Sequence, residues 1–323
     1  MTRYLKRIAV FLFFATTLSL HAEDHGTTIG TTADAPRTDG TQLTLQAVPE
    51  FVHRILVPLL PEATNTFAVA SQAVDEVIEA PAGFELYRHN GGLQIEAPAG
   101  EASGYARVRM GGRELTLTLV NLIPAENVHE GVIEGYQVGQ YQSEPLHGLD
   151  SYRAPKGFMR LSPANGELWV SDHYRMRDFQ CKLDGGSKFL ILRTPALLKL
   201  ELLQHELATK YGIDFDRFAI MSGYRTPYYN ARIGNETSYS RHLYGDAMDI
   251  YVDRDGNGEM DDLNGDGRVD AKDAKFLLGV AESIDNSPEW SWLKGGAGVY
   301  HANAAHGPYL HVDARGFIAR WGV

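Results

Sequence analysis

Residues 222–252 read SGYRTPYYNARIGNETSYSRHLYGDAMDIYV, and the remainder of the chain is read outward from them. The run Arg217 to Met221 just before alternates apolar and polar residues, which predicts a strand. Gly223 and Pro227 then bracket Arg225 in a tight turn. A turn that leaves a strand is a usual place to present a functional side chain. His242 and Asp249 follow, seven residues apart, a spacing that does not share one helical face. The pattern instead predicts a loop histidine followed by a strand. In that strand Ala247, Asp249 and Tyr251 share one side, and Met248, Ile250 and Val252 point to the core.

A histidine and an aspartate at such spacing arise often by chance, so a third donor must come from elsewhere. Tyr309-Leu310-His311-Val312-Asp313 offers a second strand end that carries a histidine. Two imidazoles and one carboxylate with one coordination position left open suit a catalytic zinc site better than a structural one. The candidate ligands of one catalytic zinc ion are therefore His242, Asp249 and His311, with small Gly245 and Ala247 leaving room between them. The helical stretch opened by Thr194-Pro195 and stopped by Gly212 contains His205-Glu206-Leu-Ala-Thr209. This falls short of a HExxH motif for want of its second histidine, and both residues are expected on a solvated surface.

SGYRTP, Asn230, the frame Ser240-Arg-His242-x-x-Gly245-x-Ala247-x-Asp249-Ile250 and the later His311-Val-Asp313, with Trp321 beyond it, together resemble the zinc D-alanyl-D-alanine metallopeptidase superfamily. That group contains D-Ala-D-Ala carboxypeptidases, dipeptidases and murein endopeptidases, and shares its fold with the hedgehog signalling domain. The resemblance runs from about Phe158 to the C-terminus and is closest to the murein endopeptidase branch. It implies His242, Asp249 and His311 as zinc ligands, and Arg225 as oxyanion stabiliser or anchor of the substrate carbonyl. It also implies a carboxylate base for the zinc-bound water. Many members place that acid three residues before the third ligand, where this chain has Pro308. Asp313 then stands either as the base or as the residue that orients His311, and His306 is a second candidate for proton handling. What the resemblance implies in function is an exported murein endopeptidase acting on peptidoglycan stem peptides or cross-links. The alternatives are a D-Ala-D-Ala carboxypeptidase, or a wall-binding protein that has lost catalysis.

Between Asp249 and His311 lies a dense acidic run, residues 253–273. Calcium takes six to eight oxygens, and EF-type loops supply them at alternate positions around a glycine turn. One frame is Asp262, Asn264, Asp266, the Arg268 carbonyl, Asp270 and Asp273, which resembles a dockerin-type loop. An overlapping frame is Asp253, Asp255, Asn257, Glu259 and Asp261. One or two structural calcium ions are expected here, followed by a helix over 271–283.

The N-terminal half reads differently. Arg3, Lys6 and Arg7, an apolar run and Leu20-His21-Ala22 form an export signal over 1–22, too short for a comfortable membrane span. Residues 23–45, rich in Thr, Gly, Asp and Ala, are expected to be a flexible leader. Over 46–146, short alternating runs between Gly, Pro and Asn predict strands of a small β-sandwich, with Asn90-Gly91-Gly92 as a hairpin turn. Ser171 is expected to cap a helix over 172–179. Residues 148–323 make the catalytic domain. The fold expected is α+β: a hedgehog/D,D-peptidase-like domain with antiparallel sheet and flanking helices, preceded by the β-sandwich. The net charge of −11, which becomes −14 once the signal's three basic residues are removed, argues against a nucleic-acid partner. The single cysteine, Cys181, excludes a disulfide framework and a thiolate zinc cluster. The protein is expected as an exported or periplasmic monomer with peptidoglycan peptides as partners and no stable membrane insertion.

Overall fold

The computed structural model describes residues 39–185, 188–235 and 237–322. The expected signal at 1–22 and the leader up to residue 38 lie outside the described residues. Eight strands come first: Asp39–Leu45 (β1), Arg54–Leu59 (β2), Thr64–Val69 (β3), Val74–Glu79 (β4), Glu85–His89 (β5), Gly92–Glu96 (β6), Ser103–Met110 (β7) and Arg113–Asn121 (β8). β1 corrects the leader expected to run through residue 45: it pairs in parallel with β3 and buries Leu45. The eight form two four-stranded sheets, ordered β1-β3-β6-β5 and β2-β8-β7-β4. Asn90 and Gly91 close the β5–β6 hairpin with φ of 48° and 79°, a conformation these two residue types tolerate. The buried Asn65 amide ties β1 to the β2–β3 connection: its oxygen accepts from Thr41 N and Leu60 N, and its nitrogen donates to Leu60 O and Ala63 O.

Short pairs follow. Ile123–Pro124 (β9) and Lys188–Leu190 (β13) flank Gly157–Leu161 (β12), and Val132–Ile133 (β10) pairs with Tyr136–Gln137 (β11). The helix expected over 172–179 is only a 3-10 turn, Met176–Phe179, entered at Arg175 with Asp178 accepting from the Arg175 amide. Ser171 does not cap it, because Trp169 and Arg175 are bridged in β fashion and hold 170–174 out of a helix.

The helix Thr194–Tyr211 (α1) begins and ends as its sequence predicts, with Pro195 in its first turn and left-handed Gly212 at its end. Leu197, Leu200, Leu203 and Leu207 are buried, but so are Lys199, Glu201 and Gln204, so α1 is covered on more than its leucine stripe. His205 and Glu206 are half-buried rather than solvated: the imidazole stacks on Phe51 at 3.8 Å, and Glu206 pairs with Lys210.

The remaining elements are Ala219–Ser222 (β14), Pro227–Arg232 (α2), Ala247–Tyr251 (β15), Ala271–Asn286 (α3), Gly296–Tyr300 (β16), Tyr309–Asp313 (β17) and Ala319–Trp321 (β18). The strands form one sheet ordered β14-β15-β17-β16-β18, antiparallel except where β18 runs parallel to β16. Alternation along a strand sends Met248, Ile250, Leu310, Val312, Ala297 and Val299 into the core. α3 packs on β16, β17 and α1. The main hydrophobic core runs from Leu45 to Val312 and joins the N-terminal sheets to this α+β part. Thr194 Oγ1 donating to Leu56 O (2.6 Å) and Thr118 Oγ1 donating to Trp169 O (2.7 Å) bind the two further. Among the described residues no helix is long and apolar enough to cross a membrane.

Candidate metal centre

Register decides what meets on the other side of the five-stranded sheet. Asp249 lies opposite His311, Ser222 opposite Asp249, and Gly298 opposite His311, so these residues form one row across four strands. A second row, Tyr300, Tyr309 and Tyr251, lies one pleat along on the same side. His242 comes to the first row from a 3-10 turn, Arg241–Tyr244. That turn is held by the buried Arg241, which pairs with Asp246, donates to Ser151 O (2.9 Å) and lies 4.0 Å from the Tyr152 ring. Gly245, at φ 72°, ends the turn with its backbone against Ile191 O, where a Cβ would stand 2.4 Å away. The glycine is therefore required by close packing as well as by its left-handed conformation.

His242 Nε2 and His311 Nδ1 are 3.1 Å apart, and Asp249 Oδ1 is 3.2 Å from the first and 3.0 Å from the second. Tetrahedral zinc with bonds of about 2.0–2.1 Å requires donor atoms about 3.3 Å apart. The buried triad fits that requirement. Each imidazole also has its other nitrogen engaged. His242 Nδ1 donates to Gly223 O (2.7 Å), and His311 Nε2 donates to Asp313 Oδ2 (3.2 Å). These bonds put the protons on the outer nitrogens and leave both inner lone pairs facing Asp249. Burial opposes the charge on Asp249, yet the two imidazoles beside it hold its carboxyl well below the usual carboxylate range. Burial lowers the pKa of His242, whereas the carboxylates of Asp249 and Asp313 outweigh burial at His311 and raise it.

Arg225 stands beside the centre with its guanidinium on Asp249 Oδ2 and its Nε donating to Ser222 Oγ (2.8 Å). Asp313 is 1% exposed, and both its oxygens are taken. Oδ1 accepts from Gly296 N (2.7 Å), and the Arg315 side chain clamps the carboxylate at 2.9 and 3.0 Å from its Nε. Of its two expected roles, this geometry favours the second: Asp313 reaches the far nitrogen of His311, saturated by other donors, in the place of an orienting residue. His306 lies in the loop between β16 and β17. Its Nδ1 donates to Gly307 O, and its Nε2 accepts from Asn303 Nδ2, so the ring serves its own loop. It lies edge-on to Tyr309 at 4.9 Å and lines a cavity of about 200 Å³ with Tyr251, Met260 and Pro308.

Sequence reasoning missed the aromatic wall of the centre. Tyr300 and Tyr309 stack at 4.5 Å, and Trp321 lies 5.0 Å from His311 with its Nε1 donating to Tyr300 OH (3.1 Å). Gly298 makes this possible, since a Cβ there would stand 2.1 Å from the indole. Burial, helped by the Asp249 charge, raises the pKa of the Tyr309 hydroxyl, with Arg225 opposing. The Gly296-Ala-Gly298 alternation and the period-two placement of Tyr309 before His311 were the available signals.

In the acidic run, carboxylates turn inward onto backbone amides. Asp253 accepts from Gly258 N (2.9 Å), Asp255 from Asn257 N (3.1 Å), and Asn257 Oδ1 from Glu259 N (2.7 Å). Asp262 accepts from Gly267 N (2.7 Å), Asn264 Oδ1 from Asp266 N (2.9 Å), and Asp266 from Arg268 N (3.1 Å). Asp270 caps α3 at Lys272 N, and the buried Asp273 accepts from Leu263 N (2.9 Å). Oxygens of Asp253, Asp255 and Asp261 lie close enough together to hold a cation, although Asp261 is paired with Arg254.

An α+β protein whose sheet carries a buried His-Asp-His centre, with both outer imidazole nitrogens fixed, has the makings of a mononuclear metallohydrolase. Residues 173–264 match the family Peptidase M15, which supports the resemblance to the zinc D-Ala-D-Ala peptidase superfamily. The match includes Arg225, His242 and Asp249 and stops before His311. Peptidases of this family are zinc-dependent, in keeping with the donor set. No curated protein and no solved structure matches the chain.

Proposed function

We propose that the protein is an exported zinc peptidase that hydrolyses amide bonds of peptidoglycan stem peptides or cross-links, a murein endopeptidase. The convergence of His242 Nε2, His311 Nδ1 and Asp249 Oδ1 at 3.0–3.2 Å is the observation that carries this reading. Zinc held there would lower the pKa of its water to about 7 and polarise the scissile carbonyl. The chain's own residues do the rest. Asp313 and Gly223 O orient the two imidazoles, and Arg225 fixes the carboxylate of Asp249 while presenting positive charge to the substrate side. The five-stranded sheet with α1 and α3 behind it is the hedgehog/D,D-peptidase-like domain of this proposal. The two N-terminal sheets form the β-sandwich that positions it on the wall polymer.

Incubating the full chain with purified muropeptides, with and without zinc, tests the proposal. Zinc-dependent conversion of cross-linked dimers to monomers is expected. Release of terminal D-Ala alone would indicate a carboxypeptidase, and binding without cleavage a wall-binding module; either overturns the endopeptidase reading.

The proposal extends to calcium at 253–273. Gly258 and Gly267, at φ 85° and 81°, each occupy the sixth place of a loop, the sharp turn that EF-type loops reserve for glycine. Seven aspartates and one glutamate in this run repel one another without a counter-ion. Adding calcium to chelator-treated protein is expected to raise the melting temperature by several degrees, read by differential scanning calorimetry. An unchanged melting temperature at millimolar calcium would sink the calcium assignment.

A further inference from the structure

We propose that Tyr309 is a catalytic residue, its hydroxyl donating a hydrogen bond to the carbonyl oxygen of the peptide bond under attack. The inference rests on the reading of the centre as a peptidase site and supplies a donor beyond Arg225. Tyr309 is two residues before His311 in β17, so its side chain leaves the sheet on the metal side. It stands in the row adjoining His311 and Asp249, between Tyr300 and the Tyr251 position. Its ring is fixed on both sides, stacked on Tyr300 and met edge-on by His306. A buried ring clamped in this way loses little further freedom when it meets a ligand, which is what a preorganised donor requires.

The hydrogen bonding of the wall separates its two tyrosines. The Tyr300 oxygen is committed to Trp321 Nε1, and Trp321 in turn packs beside His311, so Tyr300 and Trp321 form the fixed backing. The Tyr309 hydroxyl takes no hydrogen bond among the described residues. A tyrosine 8% exposed, with its body packed and its polar tip uncommitted beside a metal centre, normally spends that tip on a ligand or water. Near neutral pH an ordinary phenol is protonated and can only gain by donating to an oxygen that becomes more negative. A donor that serves the developing oxyanion better than the ground-state carbonyl accelerates the step and does not merely tighten binding. Pro308, at the position where many relatives of this superfamily carry an acid, cannot take part in such donation, since it has neither a polar side chain nor an N–H.

Tyr309→Phe keeps the ring stack and deletes only the hydroxyl. In the zinc-loaded full chain, kcat for cross-linked muropeptide dimers is expected to fall about 100-fold, as for loss of one oxyanion donor, with KM within about threefold. Zinc affinity, measured by chelator competition, is expected to stay within about twofold of the parent, which a structural role for the hydroxyl would not allow. A phosphinate isostere of the cross-link bond, whose oxygens stand where those of the tetrahedral species would, is expected to bind about 10- to 100-fold more weakly to Tyr309→Phe. Unchanged kcat and unchanged phosphinate affinity would overturn the proposal, as would a fall in zinc affinity that accounts for the lost rate. Should the parent bind the phosphinate but cleave no wall peptide, the endopeptidase reading fails by itself, and the phosphinate comparison still decides whether Tyr309 donates. A parent that neither cleaves nor binds the isostere overturns both.

Discussion

Asp249→Ala is expected to lower zinc affinity by more than about 100-fold and to leave peptide hydrolysis undetectable at any attainable zinc concentration. The first part follows from coordination: loss of an outer partner of a metal-bound histidine costs about 10–100-fold in affinity, and loss of a ligand costs more. The second part follows from the neighbourhood. Asp249 Oδ2 is the partner of the Arg225 guanidinium, so the alanine variant leaves a positive charge facing two imidazoles and an incoming cation. Asp313→Asn provides the graded comparison. The carboxylate of Asp313 accepts from His311 Nε2, from Gly296 N and from Arg315 together, and an amide has one acceptor oxygen with which to serve them. Zinc affinity should fall about 10–100-fold, with most activity regained in excess zinc. With Asp313 as the general base instead, affinity would be unchanged and saturating zinc would restore nothing. Chelator competition and activity at saturating zinc separate the two outcomes.

The parts of this site legible in the sequence are those encoded by short-range pattern. His242 in a turn, Asp249 on a strand of alternating burial and His311 on another strand end could be placed because period two and glycine turns act over a few residues. Their convergence across 69 residues was inferred from donor chemistry and the resemblance, and register now accounts for its longest step: Asp249 and His311 are direct neighbours across β15 and β17. α1 was legible from Pro195 to Gly212 for the same local reason. The charged residues buried in α1 were not. Lys199 meets Asp285 and the Asp313 carbonyl, 86 and 114 residues away, and Glu201 meets His173, so nothing near them in sequence reveals burial. The role of Asp313 turned on Arg315 and Gly296, whose approach depends on how β16 docks against β17. β1 escaped notice because a polar, threonine-rich composition resembles a leader, while over residues 40–45 only Gly40 and Leu45 are deeply buried.

Asp285→Ala is expected to be the most destabilising of the simple substitutions beneath the metal strand. Lys199, 1% exposed, donates from Nζ to Asp285 Oδ1 at 2.7 Å, to Asp313 O at 2.9 Å and to Leu293 O at 3.2 Å. Asp285 Oδ2 accepts from Arg320 at 2.7 Å, so one carboxylate compensates two cations from α1 and β18. Breaking a buried pair by removing one partner costs about 3–5 kcal/mol, because the other charge stays buried without compensation. Urea unfolding at pH 7 should show a loss of that order. The pH dependence has a definite sign. Burial already lowers the pKa of Lys199, and the Asp285 charge opposes that shift. Without Asp285 the folded protein sheds the Lys199 proton at still lower pH, while the unfolded chain holds it to about pH 10.4. Between those two values the unfolded state binds more protons, so stability rises with pH and the deficit of the variant shrinks as pH 10 is approached. Adding Lys199→Met to Asp285→Ala removes the stranded charge and should recover part of the loss at pH 7, leaving Arg320 with Glu282. A double variant no more stable than Asp285→Ala would show that lost packing, not uncompensated charge, sets the cost. Because Lys199 also holds the Asp313 carbonyl, zinc affinity should fall in the single variant and partly return in the double. The charge network behind the sheet would then set the strand end from which Asp313 orients His311.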